Sequence, residues 1–284
     1  MGTVLKGKEL KQKISEELKE IIISYKEKYR VEPCFASILI GNDGGSMFYV
    51  EFQKKNCESL GIKYELIHLS EGVSTEEVID IIEKLNCDTS VHGIMMQVPL
   101  PSHLDEKAII HHINPDKDVD SLTDTNAGRL FKGSRCFEPC TPKAVMELLD
   151  YIGEDLAGKR AVVIGRSNIV GKPLAIMLLK KNATVTVCHS HTKDIKSITK
   201  EADILVSCVG KPHFVNSEFV KPGAIVMDVG TSDVNGKITG DVDFDDVEPV
   251  AGYITPVPGG VGSITTMLLL KNTLKAMERN LEIK

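Results

Sequence analysis

Tyr49 and Gln53 stand four residues apart, a spacing that puts both on one face of a helix. Gln97 follows an apolar run of strand length, and both it and Asp120 read as loop residues after strands. An aromatic plate, two carboxamides and a carboxylate suit a flat heteroaromatic ligand. The ring stacks on Tyr49, and the carboxylate takes two donors from an amino-pyrimidinone edge. Each residue also has a plainer reading. A tyrosine on a helix is commonly a core residue. The charges of DKDVDS, 116–121, are ordinarily a solvated turn. Spacing alone leaves open whether the helix face and the two loops meet.

A second constellation lies in GRSNIVGKP, which starts at Gly165. An apolar run from Arg160 to Ile164 precedes it and a helical pattern follows. That order is strand, glycine turn, helix. Gly165 permits the tight turn, and Gly171 lets the helix start close to the strand. Backbone N–H groups at such a helix start can hold a pyrophosphate. Ser167 stands where a plain G-x-G-x-x-G has its second glycine, so the motif also fits a purely structural turn. The next strand ends in Cys188, His189, Ser190 and His191. It lacks the carboxylate that an NAD site places on the ribose hydroxyl about 20 residues past the glycines. Arg166 and Ser190 instead suit a 2′-phosphate, which favours NADP over NAD. His191 adds positive charge when protonated, or is a solvated loop histidine.

The elements that must position these residues alternate between strand and helix. Leu10, Ile14, Leu18, Ile21 and Tyr25 mark an amphipathic helix. Strands are expected at 35–40, 63–69 and 91–96. A helix capped by Ser46 should run to Leu60, and a second, from Ser74, carries Glu77 in capping-box position. QVPLP, 97–101, then follows a strand end, where α/β sheets bind ligands. Thr141 and Pro142 read as the cap and first turn of a helix. Further strands are expected at 184–188, 202–209 and 224–229. The proline–glycine loop ITPVPGGVGS, 254–263, leads into a last helix. The expected fold class is α/β, with two α/β domains and a parallel sheet in the C-terminal, Rossmann-type one. Their expected ranges are 1–140 and 141–263, the helix 264–284 packing back on the first.

Composition narrows the partners. The chain has 284 residues, 42% hydrophobic and 26% charged, with a net charge of −6. That is ordinary for a soluble globular protein, and no basic stripe points to nucleic acid. MGTVLKGKELKQK lacks the apolar core of a signal peptide, and no apolar run reaches membrane-spanning length. Seven irregularly spaced cysteines fit reduced thiols in a cytoplasm. Cys136 and Cys140 have no accompanying pair, so no metal site is expected.

QVPLP, PDKDVDS, NAGRL, PCTP, VVIGRSNIVGKP, TVTVCHS, KPGAIVMDVG, GDVDF and TPVPGGVG occur in this order over almost the whole chain. In these the sequence resembles the bifunctional methylenetetrahydrofolate dehydrogenase/methenyltetrahydrofolate cyclohydrolase family. The resemblance implies a folate cleft between two domains and a homodimer paired through the nucleotide domains. It implies oxidation of 5,10-methylenetetrahydrofolate with NADP, then hydrolysis of the methenyl cation to 10-formyltetrahydrofolate. By the same resemblance Tyr49 stacks on the pterin-side rings, Asp120 anchors the pterin amino group, and Gln97 lies beside the reacting centre. Val98, Leu100, Pro258, Gly259 and Gly260 would line the folate pocket. Thr141, Gly165, Arg166, Ser167, Ser190, His191 and Thr231 would hold the dinucleotide.

One departure bears on function. The family's helix motif is S-x-x-Y-V-x-x-K, and here it reads Ser46-Met47-Phe48-Tyr49-Val50-Glu51-Phe52-Gln53. Gln53 replaces the lysine credited with the hydrolytic half. Lys54 is one residue on, turned about 100° around a helix. Ser121 also replaces the usual glycine after DVD. The leading expectation is an NADP-dependent dehydrogenase with weak or absent cyclohydrolase, and Gln53 joins Tyr49, Gln97 and Asp120 as a candidate catalytic residue. The alternatives are full bifunctionality, with Lys54 or a water chain replacing the amine, and a non-catalytic folate- or nucleotide-binding protein.

Overall fold

The computed structural model describes residues 2–282. It divides into two compact units: Lys13–Glu138 with the residues from Thr266 on, and the residues up to Gln12 with Pro139–Thr265.

The first unit carries a three-stranded parallel sheet in the order Lys63–Leu69, Cys34–Ile40, Gly93–Met96. All seven residues of the central strand are buried, as a strand covered on both faces requires. Ile38, Val78, Ile82, Ile94 and Met96 belong to the core beside it. The helix Gly44–Leu60 starts two residues before the expected cap. Asp43 caps it, its carboxylate accepting from the N–H and hydroxyl of Ser46, both at 2.9 Å. The helix Thr75–Cys87 has the capping box of Ser74 and Glu77. Within this unit Asn272, on the final helix Gly262–Asn280, donates to the carbonyls of Val119 and Glu138.

His92, 2% exposed, accepts the N–H of Cys34 at Nδ1. Burial, reinforced by Lys117, pushes its imidazole down from 6.5 to about 4. The unfolded chain therefore binds a proton first as pH falls. The neutral histidine's contribution is complete above 6.5 and is lost as pH drops towards 4. The loss is about 3 kcal/mol at most. Urea titrations between these pH values should show it, and His92→Asn, which keeps an acceptor for Cys34, should flatten the profile.

The second unit carries a six-stranded, wholly parallel sheet. Its order is Thr3–Val4, Tyr253–Ile254, Ile225–Asp228, Ile204–Ser207, Arg160–Ile164, Thr184–Cys188. The expected boundary at 140 needs correction at the amino end. Thr3 and Val4 pair with Tyr253 and Ile254, so this stretch joins the second unit. Thr141 does not cap a helix either. It lies in the first turn of Cys140–Tyr151, which follows Pro139 and has no side-chain cap. An antiparallel hairpin, Ser232–Val234 with Lys237–Thr239, is an element the sequence reading lacks.

Candidate active site

Gln53 faces inward on its helix and is 3% exposed, whereas Lys54 is exposed. Its Oε1 accepts from Ser37 Oγ at 3.1 Å and from Gln97 Nε2 at 3.2 Å. Gln97 Nε2 also donates to Ser37 Oγ at 2.9 Å, which closes a buried triangle. Gln53 Nε2 meets only a soft acceptor, Met95 Sδ, at 3.4 Å. Ser37 sits on the central strand and Gln97 directly follows Gly93–Met96, so the triangle joins helix to sheet. No member titrates near neutrality. Tyr64 does not supply a proton either: its buried hydroxyl has no hydrogen-bond partner, and burial pushes its phenol up to about 12. Tyr49, one helical turn before Gln53, is 47% exposed, an open aromatic face rather than a core residue. Val98 and Leu100 pack against the core of this unit.

Asp120 is half-buried on a loop that is not a solvated turn. Asp118 and Lys117 are both buried. The Asp118 carboxylate accepts from the N–H groups of Leu122 and Thr123, from Thr123 Oγ1 and from Asn126 Nδ2. The Lys117 ammonium donates to the carbonyls of Leu85 and Asp88. An isolated parallel bridge pairs Asp118 with Ile94, and the chain then turns, Ser121 N–H donating to the Asp118 carbonyl. Asp120 thus lies in the turn that follows this bridge, and Gln97 directly follows the strand Gly93–Met96. Ser121 has a φ of 58°, the left-handed region, and its buried hydroxyl has no partner. Ser121→Gly removes about 1–2 kcal/mol of backbone strain, offset partly by the looser unfolded chain. Its melting temperature should rise by about 2–4 °C, read by calorimetry, and a fall would refute the strain.

In the second unit the strand order reverses at Arg160–Ile164, whose neighbours are Thr184–Cys188 on one side and Ile204–Ser207 on the other. Ligands of open α/β sheets bind outside the carboxyl ends at such a point. A cavity of about 500 Å³ lies there, lined by Gly165, Arg166, Ser167 and Ser190, among others. A Cβ on Gly165 would sit 2.5 Å from Cys208 Sγ, and one on Gly171 would sit 2.3 Å from the Gly165 carbonyl oxygen. The turn therefore closes only with glycine at both positions. Ser167 Oγ accepts from the N–H groups of Val170 and Gly171, so part of the helix start is capped internally.

The lining includes Arg166 and Lys211 but no Asp or Glu, which fits a dinucleotide bearing a 2′-phosphate. Thr141, His191 and Thr231 are not among the lining residues, whereas His189, Thr192, Lys211 and Phe214 are. His189 N–H donates to Thr192 Oγ1, and His191 N–H donates back to His189 Nδ1. Pro258, Gly259 and Gly260 lie in this second unit, with Gly7 N–H donating to the carbonyl of Gly259. The one signal for Lys211 was its place in GKP after a strand. No helix among the described residues is long and apolar enough to cross a membrane.

Comparison with known proteins agrees with this layout. Residues 5–120 match the model of the tetrahydrofolate dehydrogenase/cyclohydrolase catalytic domain, and 139–281 match that of the same family's NAD(P)-binding domain. The bifunctional protein FolD of Clostridium novyi is 53% identical over 98% of this chain and 100% of its own length. The crystal structure of the bifunctional FolD enzyme from Campylobacter jejuni superposes with a TM-score of 0.96 at 47% identity, covering 98% of this chain and 99% of that one. That of Trypanosoma brucei FolD, complexed with NADP cofactor and inhibitor, gives 0.95 at 39% identity over 99% and 98%. Two units with parallel sheets, family models that match both halves of the chain and a relative 53% identical over its full length lead to one conclusion: the chain belongs to the tetrahydrofolate dehydrogenase/cyclohydrolase family.

Proposed function

We propose that this chain oxidises 5,10-methylenetetrahydrofolate to the 5,10-methenyl cation with NADP and hydrolyses that cation weakly or not at all. The observation that carries this reading is the buried triangle of Gln53, Ser37 and Gln97. When bound, the dinucleotide accepts the hydride from the folate methylene carbon. No proton moves in that step, and the lone pair of the folate nitrogen drives it. The chain's residues need only bind and orient: Tyr49 by stacking, Asp120 by accepting from the pterin edge, Gln97 by bordering the reacting carbon. Gly165, Arg166, Ser167 and Ser190 would hold the dinucleotide.

Hydrolysis asks for more. Water adds to the methenyl carbon and loses a proton, and the carbon–nitrogen bond then opens with a proton delivered to nitrogen. A group that takes and releases protons accelerates this sequence, and a carboxamide does neither. The bifunctional names of the clostridial relatives favour the second reading, full bifunctionality. A water chain or Lys54 would then have to serve, yet Lys54 is exposed on another face. The family pattern further supports a cytoplasmic homodimer. The test of the dehydrogenase is NADP reduction by the purified protein with methylenetetrahydrofolate. No reduction would leave a folate- or nucleotide-binding protein instead.

A further inference from the structure

Two aspartates stand just behind the nucleotide cavity, on the second unit's buried side. Asp241 is fully buried. Its Oδ2 accepts from Ser207 Oγ at 2.9 Å and Val209 N–H at 2.7 Å, and its Oδ1 from Lys211 N–H at 2.7 Å. The donors are the last residue of the strand Ile204–Ser207 and two residues of the loop after it, and Cys208, Val209 and Lys211 line the cavity. Asp228 in turn holds Asp241. Its Oδ1 accepts from the N–H groups of Gly230 and Asp241, both at 3.0 Å, and its Oδ2 from that of Val242 at 2.9 Å. Gly230, Asp241 and Val242 flank the hairpin Ser232–Thr239 at its base, and Ser232 Oγ donates to the carbonyl of Gly210. The fit has no slack. A Cβ on Gly230 would lie 2.1 Å from the Asp241 carboxyl, and one on Gly240 would lie 2.0 Å from Asp228 Oδ2.

Two buried carboxylates close together are costly, and a fold keeps such groups only when their acceptors are filled. Burial, with the nearby Asp241, pushes the Asp228 carboxyl up to about 7 despite the three backbone donors. An apolar pair would have packed at less cost. What the carboxylates supply is direction, because one oxygen pair fixes the peptides of residues 209 and 211 against the end of the strand.

We propose that Asp241 is a positioning residue for the dinucleotide, with Asp228 as its support: it sets the Cys208–Lys211 wall of the cavity without touching the ligand. The proposal rests on the dinucleotide reading of that cavity. Asp241→Asn keeps the shape but turns an amide N–H towards a backbone N–H, so one loop peptide is released. The KM for NADP should rise about tenfold, a shift that one lost charge-assisted hydrogen bond accounts for. The turnover number and the KM for the folate should stay within about threefold, the remaining carboxamide oxygen still holding most of the loop.

Val247→Ala serves as the control. Val247 is buried in the core of the same unit and is not among the residues that line this cavity, so its truncation lowers stability without redirecting the loop. If Asp241→Asn does not fold, Ser207→Ala removes one donor and leaves the carboxylate. It should raise the KM for NADP about threefold, the smaller loss of a neutral bond. Wild-type protein that binds NADP in calorimetry while both variants bind it equally well would overturn the positioning role. An equal rise in Val247→Ala would overturn it too, since loss of stability would then suffice. Wild-type protein that fails to bind NADP would instead overturn the cofactor reading, and the proposal with it.

Discussion

Gln53→Lys gains methenyltetrahydrofolate hydrolysis by about 10²–10⁴-fold over the wild type, the range of a positioned proton-transfer group. Position 53 is suited to such a gain. It is buried beside Ser37, Met95 and Gln97, and burial lowers a lysine's pKa towards neutrality, so one amine both takes and gives a proton. The oxygen of Ser37 is ready to accept from the new ammonium. The carboxamide of Gln97 must also turn its oxygen to the lysine, because its two N–H groups now point to Ser37 and Gln53. Gln97 is buried, so that rotation takes place inside the triangle, where its bond to Ser37 is exchanged for one to the lysine. NADP reduction changes far less, because hydride transfer needs no titrating group. Lys54→Ala should leave both rates as they are, its side chain being exposed on another face. If Lys54→Ala abolished hydrolysis by the wild type, the argument from the helix face would be wrong.

Arg166→Ala raises the KM for NADP by about 10–100-fold, the loss of about 1.5–3 kcal/mol from a charge-assisted contact with the 2′-phosphate. The KM for NAD, which has no phosphate there, moves by less than about threefold. Arg166 is exposed on the glycine turn, and Lys211 across the cavity keeps part of the positive field. The lysine is a point charge that cannot replace the fork of the guanidinium. Initial rates with both cofactors, at one fixed folate concentration, decide the matter. Equal losses with NADP and NAD would remove Arg166 from the phosphate.

Most of the framework was legible in the sequence because local chemistry and tertiary structure agree. The glycine turn at Gly165, the capping box at Ser74 and the parallel strands follow from short-range pattern, and the structure keeps all three. Where they diverged, a partner distant in sequence decided. Thr3–Val4 is too short to read as a strand until Tyr253–Ile254 stands beside it. DKDVDS reads as solvated because nothing local shows that the Lys117 ammonium reaches the carbonyls of Leu85 and Asp88. Ser37 was invisible as a site residue for the same reason: a serine in an apolar strand gains meaning only when Gln53 and Gln97 meet it. One divergence was local: Asp43 outcompeted Ser46 as a cap, since its carboxylate reaches both the N–H and the hydroxyl of that serine.

The most direct test of a dehydrogenase uncoupled from its hydrolase is the stoichiometry of one progress curve. Wild-type enzyme, NADP and methylenetetrahydrofolate are mixed in a buffer with little spontaneous hydrolysis, and NADPH and the methenyl product are measured together. One methenyl product accumulating for each NADPH formed, and persisting after the NADP is consumed, is the predicted result. Methenyl product that decays in proportion to enzyme concentration would contradict it and show that Gln53 does not prevent the second reaction.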